Sequence, residues 1–588
     1  MVSWGIGAAV FALLLPTLAR SPQSGDGAEL VAIALRGGVP HPPGFPLQAW
    51  LDRALVHLPG LEPALAIAAL GLLAHAVTAA LLAETLRRLG VRAAGCVLAS
   101  FAYACFPPLW ALAVQPEVFA LAHLLVAAAL LAAVRLGAVQ RPSARATAGL
   151  GLIGSLGLAQ HPVFLAALPA IAAGAWTCLR SPASRFARAA LLATSLVLPG
   201  VALYLSLPAL RSGSPWPDWG ALRSAGDVVH HALRADYGTY ALSAETGAAA
   251  SWALPIWLAD LARVWNVGLL LVALGAFTLM RRRELRPALF PVLGTLAAGA
   301  AILVAGRLPE QSYSREVLEH LQGPATLAAD VLLGIGCESL RDQLRGPRAR
   351  PALDALVVLA AAAWLLAGWA EADASHDRTL DLYARGIALE LPRDAAFVTM
   401  SDIEVFLGAH GPEGTRYPIS AAAFPLEWYR REVIPRLDPM LVGGGGRGGW
   451  GDMMRSCLAR GRPAASSNDA LIATPLAVPE LRGLIFLARP GATTDLTRES
   501  VAAALRLVPL AERLPDLPSR GHAFTRFYSR RFGRAYAGAA EALRREGQAA
   551  TAARAEAVAQ AILGSAGRAD RNRLLAEFAS ACRDAGIK

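Results

Sequence analysis

The sequence predicts an α-helical polytopic membrane protein of about 11 transmembrane helices, carrying a C-terminal extracytoplasmic α/β domain with a helical-hairpin tail. Three observations predict it. Of 588 residues, 55% are hydrophobic and only 17% charged, where soluble domains carry about 25% charged residues. Apolar runs long enough to cross a bilayer recur as far as residue 370. Arginines collect in every second connection between those runs.

The formal charge of +11 is almost all arginine, because Lys588 is the only lysine. Arginines in short loops between apolar segments belong opposite anionic lipid, so the basic balance argues for a bilayer and against nucleic acid. The alanine- and arginine-rich, lysine-poor composition points to a GC-rich bacterial genome and hence to the bacterial inner membrane. Six cysteines are scattered without CxxC spacing, which supports neither a zinc site nor a disulfide framework; a Cys457–Cys582 bridge is an open alternative.

The first apolar stretch, "WGIGAAVFALLLPTLA", has the length of a leader, but no positive charge precedes it and many apolar runs follow. It is expected to stay as span 3–19. The next spans are expected at 62–86, 93–110, 117–135, 146–160, 162–179, 188–208, 264–280, 287–306, 324–338 and 352–370. Clusters at Arg87–Arg88–Arg92, Arg135–Arg141–Arg145, Arg180–Arg185–Arg188, Arg281–Arg286 and Arg341–Arg350 alternate with arginine-poor connections. By the positive-inside rule the clustered loops and the short N-terminus are cytoplasmic. Connections 20–61, 111–116, 160–162, 209–263 and 307–323 then face outward, as does everything after 371.

Three domains are expected: a membrane domain 1–370, a soluble α/β domain 371–520 and a hairpin tail 521–588. "AAFVTM" (395–400) and "GLIFLA" (483–488) read as buried strands and "PLEWYRREVIPRL" (425–437) as a helix. "GGGGRGGWG" (443–451) lacks the GK[ST] of a phosphate loop. The alanine-rich stretch after 525 resembles one tetratricopeptide-like hairpin, a docking cap rather than an array.

Chemistry concentrates on the outer connections. "GDGAELVAIALRGGVPHPPGFP" (25–46) holds Asp26, Glu29 and His41; "QPEVF" holds Glu117; "LGLAQHP" breaks a span at Gln160 and His161. "LRSGSPWPDWG" supplies Arg211, Trp216, Asp218 and Trp219; "HHALRADYGTY" supplies His230, His231, Arg234 and Tyr237; "YSREVLEH" supplies Arg315 and Glu316. Ionisable groups near membrane depth are functional candidates by default. Each also has a structural reading. Asp26 and Glu29 have the spacing of a helix cap and its box acid. His41 suits a proline turn, Glu117 suits a helix first turn, the tryptophans suit an interfacial belt, and Arg211 and Arg315 suit headgroup anchors. A carboxylate beside cations at a lipid surface suits sugar transfer from a polyprenyl phosphate, which needs a base for the acceptor hydroxyl and positive or hydrogen-bonding partners for the leaving phosphate.

Those stretches, with "LYLSLPALRSGSPWPDWG" and "GTRYPISAAAFPLEWYRREV", resemble in order the glycosyltransferase family 117 membrane proteins, whose animal member is a protein O-mannosyltransferase. The acidic D-x-x-E pair followed by H-P-P-G-aromatic-P is the most specific part, and the resemblance covers most of 1–440. It implies a C-type glycosyltransferase fold, an inverting hexosyltransferase activity and a first-loop catalytic acid. The family's acid maps onto Asp26 with Glu29 as partner, its loop histidine onto His41, and its second acid onto Glu117. Phe119 and Phe45 stand where the family has other aromatics, and its acidic soluble-domain motif is reduced to "SDIEVF" (401–406).

The expected function is transfer of a monosaccharide, mannose by resemblance, from a polyprenyl-phosphate carrier to a hydroxyl of a protein or envelope glycan. Asp26 and Glu29 are the expected catalytic pair. His41, Glu117, His161, Arg211, Trp219, Arg234, Tyr237 and Arg315 are the expected substrate contacts. No metal site is expected from the spacing, and a divalent cation is optional. A transporter or flippase and a non-catalytic envelope scaffold are the alternatives; nearly charge-free spans (Asp330 excepted) and the lack of an internal repeat argue against transport.

Overall fold

The computed structural model describes the chain apart from residues 1, 24, 181–184, 212–218, 221, 237–251, 307–311, 408–417, 438–449, 473–478, 490–495, 517–522, 565–566 and 588. The "GGGGRGGWG" loop lies almost wholly outside the described residues. Two compact units emerge. One comprises Met1–Ala19, Pro42–Ala209 and Leu222–Ser375; the other comprises Arg20–His41, Leu210–Ala221 and His376–Lys588.

The first unit is a helical bundle. Among the described residues, six of its helices are long and apolar enough to cross a membrane: Pro63–Arg88, Phe119–Gly137, Pro162–Leu179, Arg185–Leu210, Arg283–Ala305 and Ala349–Ala372. Two bent pairs, Ala93–Ala104 with Pro107–Ala113 and Ala253–Trp265 with Gly268–Arg281, raise the number to eight. The other three expected spans are helices that fall short for physical reasons. Val2–Thr17 and Ala144–Gln160 are short, and Gly323–Gln343 carries Asp330, Glu338, Arg341 and Asp342. Small residues let the bundle close. A Cβ on Gly275 would stand 1.9 Å from the Leu332 carbonyl oxygen, and one on Gly336 would stand 1.8 Å from that of Leu271, so these helices touch backbone to backbone. The connections expected inside gather ion pairs: Glu84 meets Arg87, Arg88 and Arg135, and Asp342 meets Arg92 and Arg282.

The second unit is built on a five-stranded sheet of order β2-β1-β3-β5-β4. Its strands are β1 (Ala396–Thr399), β2 (Ile419–Ser420), β3 (Ala464–Ser466), β4 (Glu480–Arg482) and β5 (Ile485–Ala488). β1 runs parallel to β2 and β3, while β5 is antiparallel to β3 and β4. Both expected strands are present, and β1 is buried along its whole length, as an apolar run inside a mixed sheet should be. The stretch expected as one helix at 425–437 contains a π-turn, Tyr429–Val433, followed by Ile434–Leu437. The alanine-rich tail forms the packed helix pair Ala523–Arg545 and Ala549–Leu563, followed by a third helix, Arg568–Asp584. All six cysteines are buried and none is in a disulfide, so Cys457 and Cys582 form no bridge.

Candidate functional site

The helix Gly27–Arg36 starts where the sequence predicts, but not for the reason given by the capping motif. Asp26 occupies the N-cap position in right-handed helical geometry (φ −80°, ψ −5°), and its side chain makes no capping hydrogen bond. Glu29 faces elsewhere. One of its oxygens accepts the His41 backbone N–H at 2.6 Å, and the other meets His41 Nδ1 at 2.8 Å. Glu29 is buried, while the His41 ring keeps a partly open face. A carboxylate on Nδ1 fixes the proton there and sets the ring orientation.

Folding of loop 37–41 onto the helix creates something the sequence spacing did not reveal. One ligand atom each from Asp26, Glu29 and His41 lies within 4.8 Å of the others. That spread suits a cation held at about 2.1–2.5 Å from oxygen or nitrogen. Because His41 engages both Glu29 oxygens, an entering cation would exchange for the Nδ1 contact. The donor set is that of a hard, oxygen-preferring ion with one imidazole.

The same unit brings in Trp219. Its backbone N–H donates to the Val39 carbonyl at 3.1 Å, and Gly38 N–H donates to that of Leu210 at 2.9 Å, so Leu210 and Trp219 both lie along the loop. The Trp219 ring meets His41 edge-on at 6.4 Å and leans on Phe406 at 6.1 Å. Trp219 is 8% exposed, so it belongs to a packed core and not to an interfacial belt. Arg211, half-buried, follows Leu210 directly. Trp216, Asp218 and Tyr237 lie outside the described residues.

The remaining candidates lie in the helical unit. Glu117 is buried and precedes the Phe119–Gly137 helix, so it is not a first-turn acid. His161 takes an extended conformation where the Ala144–Gln160 helix ends, and its Nδ1 accepts the Val163 N–H at 3.0 Å. Its ring stacks on Phe45 at 5.4 Å and packs on Phe119 at 4.6 Å; Phe119 also meets His320 at 4.8 Å. Gln160 donates to the Val118 carbonyl and to Gln48, which in turn donates to Asp52. Arg234 ends the Ala225–Ala232 helix with φ +54°, its N–H bonded to the His231 carbonyl.

Arg315 differs most from expectation. Its guanidinium donates to buried Asp260 at 2.8 Å and lies 3.6 Å from Glu319, so Asp260 already neutralises it. Burial, then Asp260 and Glu316, push the Glu319 carboxyl up to about 8, against the pull of Arg315. Asp330, the acid inside a span, is fully buried, and among the described residues neither of its oxygens has a hydrogen-bond partner.

Sequence reasoning missed Gln48, Asp52, Asp260, His320 and Asp402. Gln48 and Asp52 share a helix face at i, i+4, a signal that could have been found. Asp402 stands in "SDIEVF", the stretch the resemblance sets beside the family's acidic soluble-domain motif, but was not singled out as a candidate. It is exposed, but protein surrounds it on most sides, and this crowding, with Glu29 and Asp26 opposed by His41, pushes its carboxyl up to about 6.

Comparison with known proteins bears on this segment directly. The family model described as Protein O-mannosyl-transferase TMEM260 N-terminal domain matches residues 26–180, beginning at the candidate acid. The match is to that N-terminal domain alone and covers about a quarter of the chain. The mouse (Mus musculus) Protein O-mannosyl-transferase TMEM260 is 27% identical over 453 residues, covering 73% of this chain and 63% of the mouse protein. The fold matches ArnT from Cupriavidus metallidurans in the apo state, with TM-score 0.54 and 13% identity over 82% of this chain and 96% of that one. A second ArnT structure, bound to undecaprenyl phosphate, gives TM-score 0.49 and 13% identity over 83% and 97%. The C-type glycosyltransferase architecture implied by the sequence is therefore the architecture found.

Proposed function

We propose that the chain is an integral-membrane glycosyltransferase that moves a monosaccharide, mannose by its kinship, from a polyprenyl-phosphate carrier to a hydroxyl on a protein or envelope glycan at the outer face. The observation that carries this reading is the Asp26–Glu29–His41 cluster at the start of the family-matched segment. The mouse relative is named for the same kind of transfer. Asp26 takes the acceptor hydroxyl proton as the oxygen attacks the anomeric carbon. The bond from that carbon to the phosphate oxygen breaks with inversion, and the polyprenyl phosphate leaves with the electron pair. Arg211 and Arg234 are the cations assigned to the phosphate. Arg315 is the weaker choice because Asp260 already holds it. Glu29 positions His41, and a divalent cation bound to this trio would supply further charge to the leaving group.

The Glu29–His41 pair supports a second assignment, with His41 Nε2 as the base and Glu29 its orienting carboxylate. Transfer of radiolabelled polyprenyl-phosphate mannose by purified enzyme separates the two. Asp26→Asn is expected to lower kcat by about 10²–10⁴-fold, with Glu29→Gln lowering it less. Equal transfer by Asp26→Asn together with loss in His41→Gln would move the base to His41. No transfer by the wild type to any Ser/Thr peptide or glycan acceptor would favour the transporter or scaffold alternatives.

A further inference from the structure

Asp330 stands in the helix Gly323–Gln343, whose residues from Gly323 to Ser339 are all buried. Its carboxylate is 0% exposed, and among the described residues neither oxygen is hydrogen-bonded. Contacts at the far end of this helix fix what faces it. The Arg92 backbone N–H, at the start of Ala93–Ala104, donates to Glu338 at 2.8 Å, and its guanidinium lies 3.1 Å from the same carboxylate. One turn on, a Cβ on Gly95 would stand 2.9 Å from the Gly334 carbonyl oxygen. The two helices therefore run antiparallel in close contact, and the same register sets Ala99 opposite Asp330 and Tyr103 opposite Thr326. A helical side chain leans toward its own N-terminus, so the Tyr103 ring reaches back to the level of Asp330.

Other orphaned groups collect at this level. The Tyr103 hydroxyl is buried beside Thr78, which donates instead to the Ala74 carbonyl at 2.8 Å. Among the described residues that hydroxyl closes no hydrogen bond. The Tyr103 ring stacks at 4.6 Å on His75, whose Nε2 donates to the Ala104 carbonyl at 3.1 Å. A carbonyl only accepts, so Nε2 carries the ring proton and the buried, unpartnered Nδ1 is left as an acceptor. Thr295 has a buried, unpartnered hydroxyl as well. It shares a helix face with Gly299, whose Cβ would stand 2.7 Å from the Ala325 nitrogen, so that face also looks at Gly323–Gln343.

The set lacks a positive partner. The other acids on Pro63–Arg88, Ala93–Ala104 and Gly323–Gln343 are Glu84, Glu338 and Asp342, and all three pair with arginines. Arginines of these helices stand at their termini; Arg341 is about 16 Å of helix from Asp330 and pairs with Asp354. An uncompensated carboxylate inside a membrane bundle is costly, and two empty carboxylate oxygens beside a bare Nδ1 call for a positive guest. One acid matches one charge, whereas a divalent ion would demand further anionic ligands.

We propose that Asp330, Tyr103 and Thr295 form a buried site for one monovalent alkali cation. The carboxylate and the two hydroxyl oxygens ligate the ion, and His75 Nδ1 accepts from a water in its shell. The ion thereby ties four helices together. The site lies within the helical unit and does not depend on the glycosyltransferase reading.

Thermal melting of the full chain in detergent, at constant ionic strength, compares sodium chloride with choline chloride, whose cation is too large for an interhelical site. The wild type gains a saturable rise in Tm of about 2–4 °C as sodium replaces choline. Asp330→Asn removes this dependence and, having no charge to compensate, melts no lower than the wild type in choline. Tyr103→Phe keeps the dependence but needs about tenfold more sodium for half the gain. Equilibrium binding of radioactive sodium to the purified protein is saturable in the wild type and absent in Asp330→Asn. A wild type that binds no sodium, or melts identically in sodium and choline, overturns the proposal whatever the variants do. Sodium binding retained in Asp330→Asn overturns it too. So does a Tm that follows pH but not sodium, which identifies a protonated acid instead.

Discussion

Glu29 is the residue whose meaning changes most between sequence and structure. Its spacing from Asp26 is that of a capping box, yet both its oxygens hold His41, twelve positions along. Charge at this cluster has a measurable consequence for Asp402. Desolvation, then the charges of Glu29 and Asp26 opposed by His41, push its carboxyl up from 3.8 to about 6. A raised carboxyl pKa means the folded state binds the proton more tightly than the unfolded chain. The resulting penalty is complete above pH 6, fades as pH falls through 6, and is gone below about 4. Asp402→Asn is therefore expected to raise Tm at pH 7.5, with the gain shrinking by pH 5. Thermal denaturation in detergent checks this, and an equal gain at both pH values would contradict it.

At the scale of elements, span positions were legible because lipid burial demands continuous apolar runs, and β1 and β5 because buried strands do the same. The fit between helices was not. Gly275 and Gly336 look like ordinary small residues in apolar runs, but their lack of a Cβ is what lets Gly268–Arg281 and Gly323–Gln343 meet. Gly275→Ala is expected to cost about 1–3 kcal/mol, because the new Cβ meets a backbone carbonyl that cannot swing aside. Gly149→Ala, with nothing within 4 Å of the added atom, is expected to be neutral or slightly stabilising. Parallel melts of the two variants in detergent test the contrast; equal losses would mean the helices yield.

For the whole molecule, the alternation of arginine clusters sets the expected orientation: clustered loops inside, the sheet-bearing unit outside. Arg141 and Arg393 are both exposed, and the six native cysteines are buried, so single cysteines report cleanly. Arg393→Cys should react with an impermeant maleimide in intact spheroplasts, and Arg141→Cys only after permeabilisation. The reverse pattern would invert the topology and put Asp26 on the wrong side for the proposed reaction.

Composition and periodicity alone determined the membrane class, most of the helices, the two strands and the connections that carry acids and histidines. The sequence motif also picked out Asp26, Glu29 and His41. These are local properties, because solvent preference and backbone period are written into neighbouring residues. Only the tertiary structure decided which groups act together. It closed Glu29 onto His41, drew segments 20–41 and 210–221 into one compact unit with 376–588, engaged Arg315 with Asp260, and set Asp402 beside the Gly27–Arg36 helix. Such pairings join residues tens to hundreds of positions apart. They depend on how surfaces fit once burial is satisfied, and no local pattern encodes that.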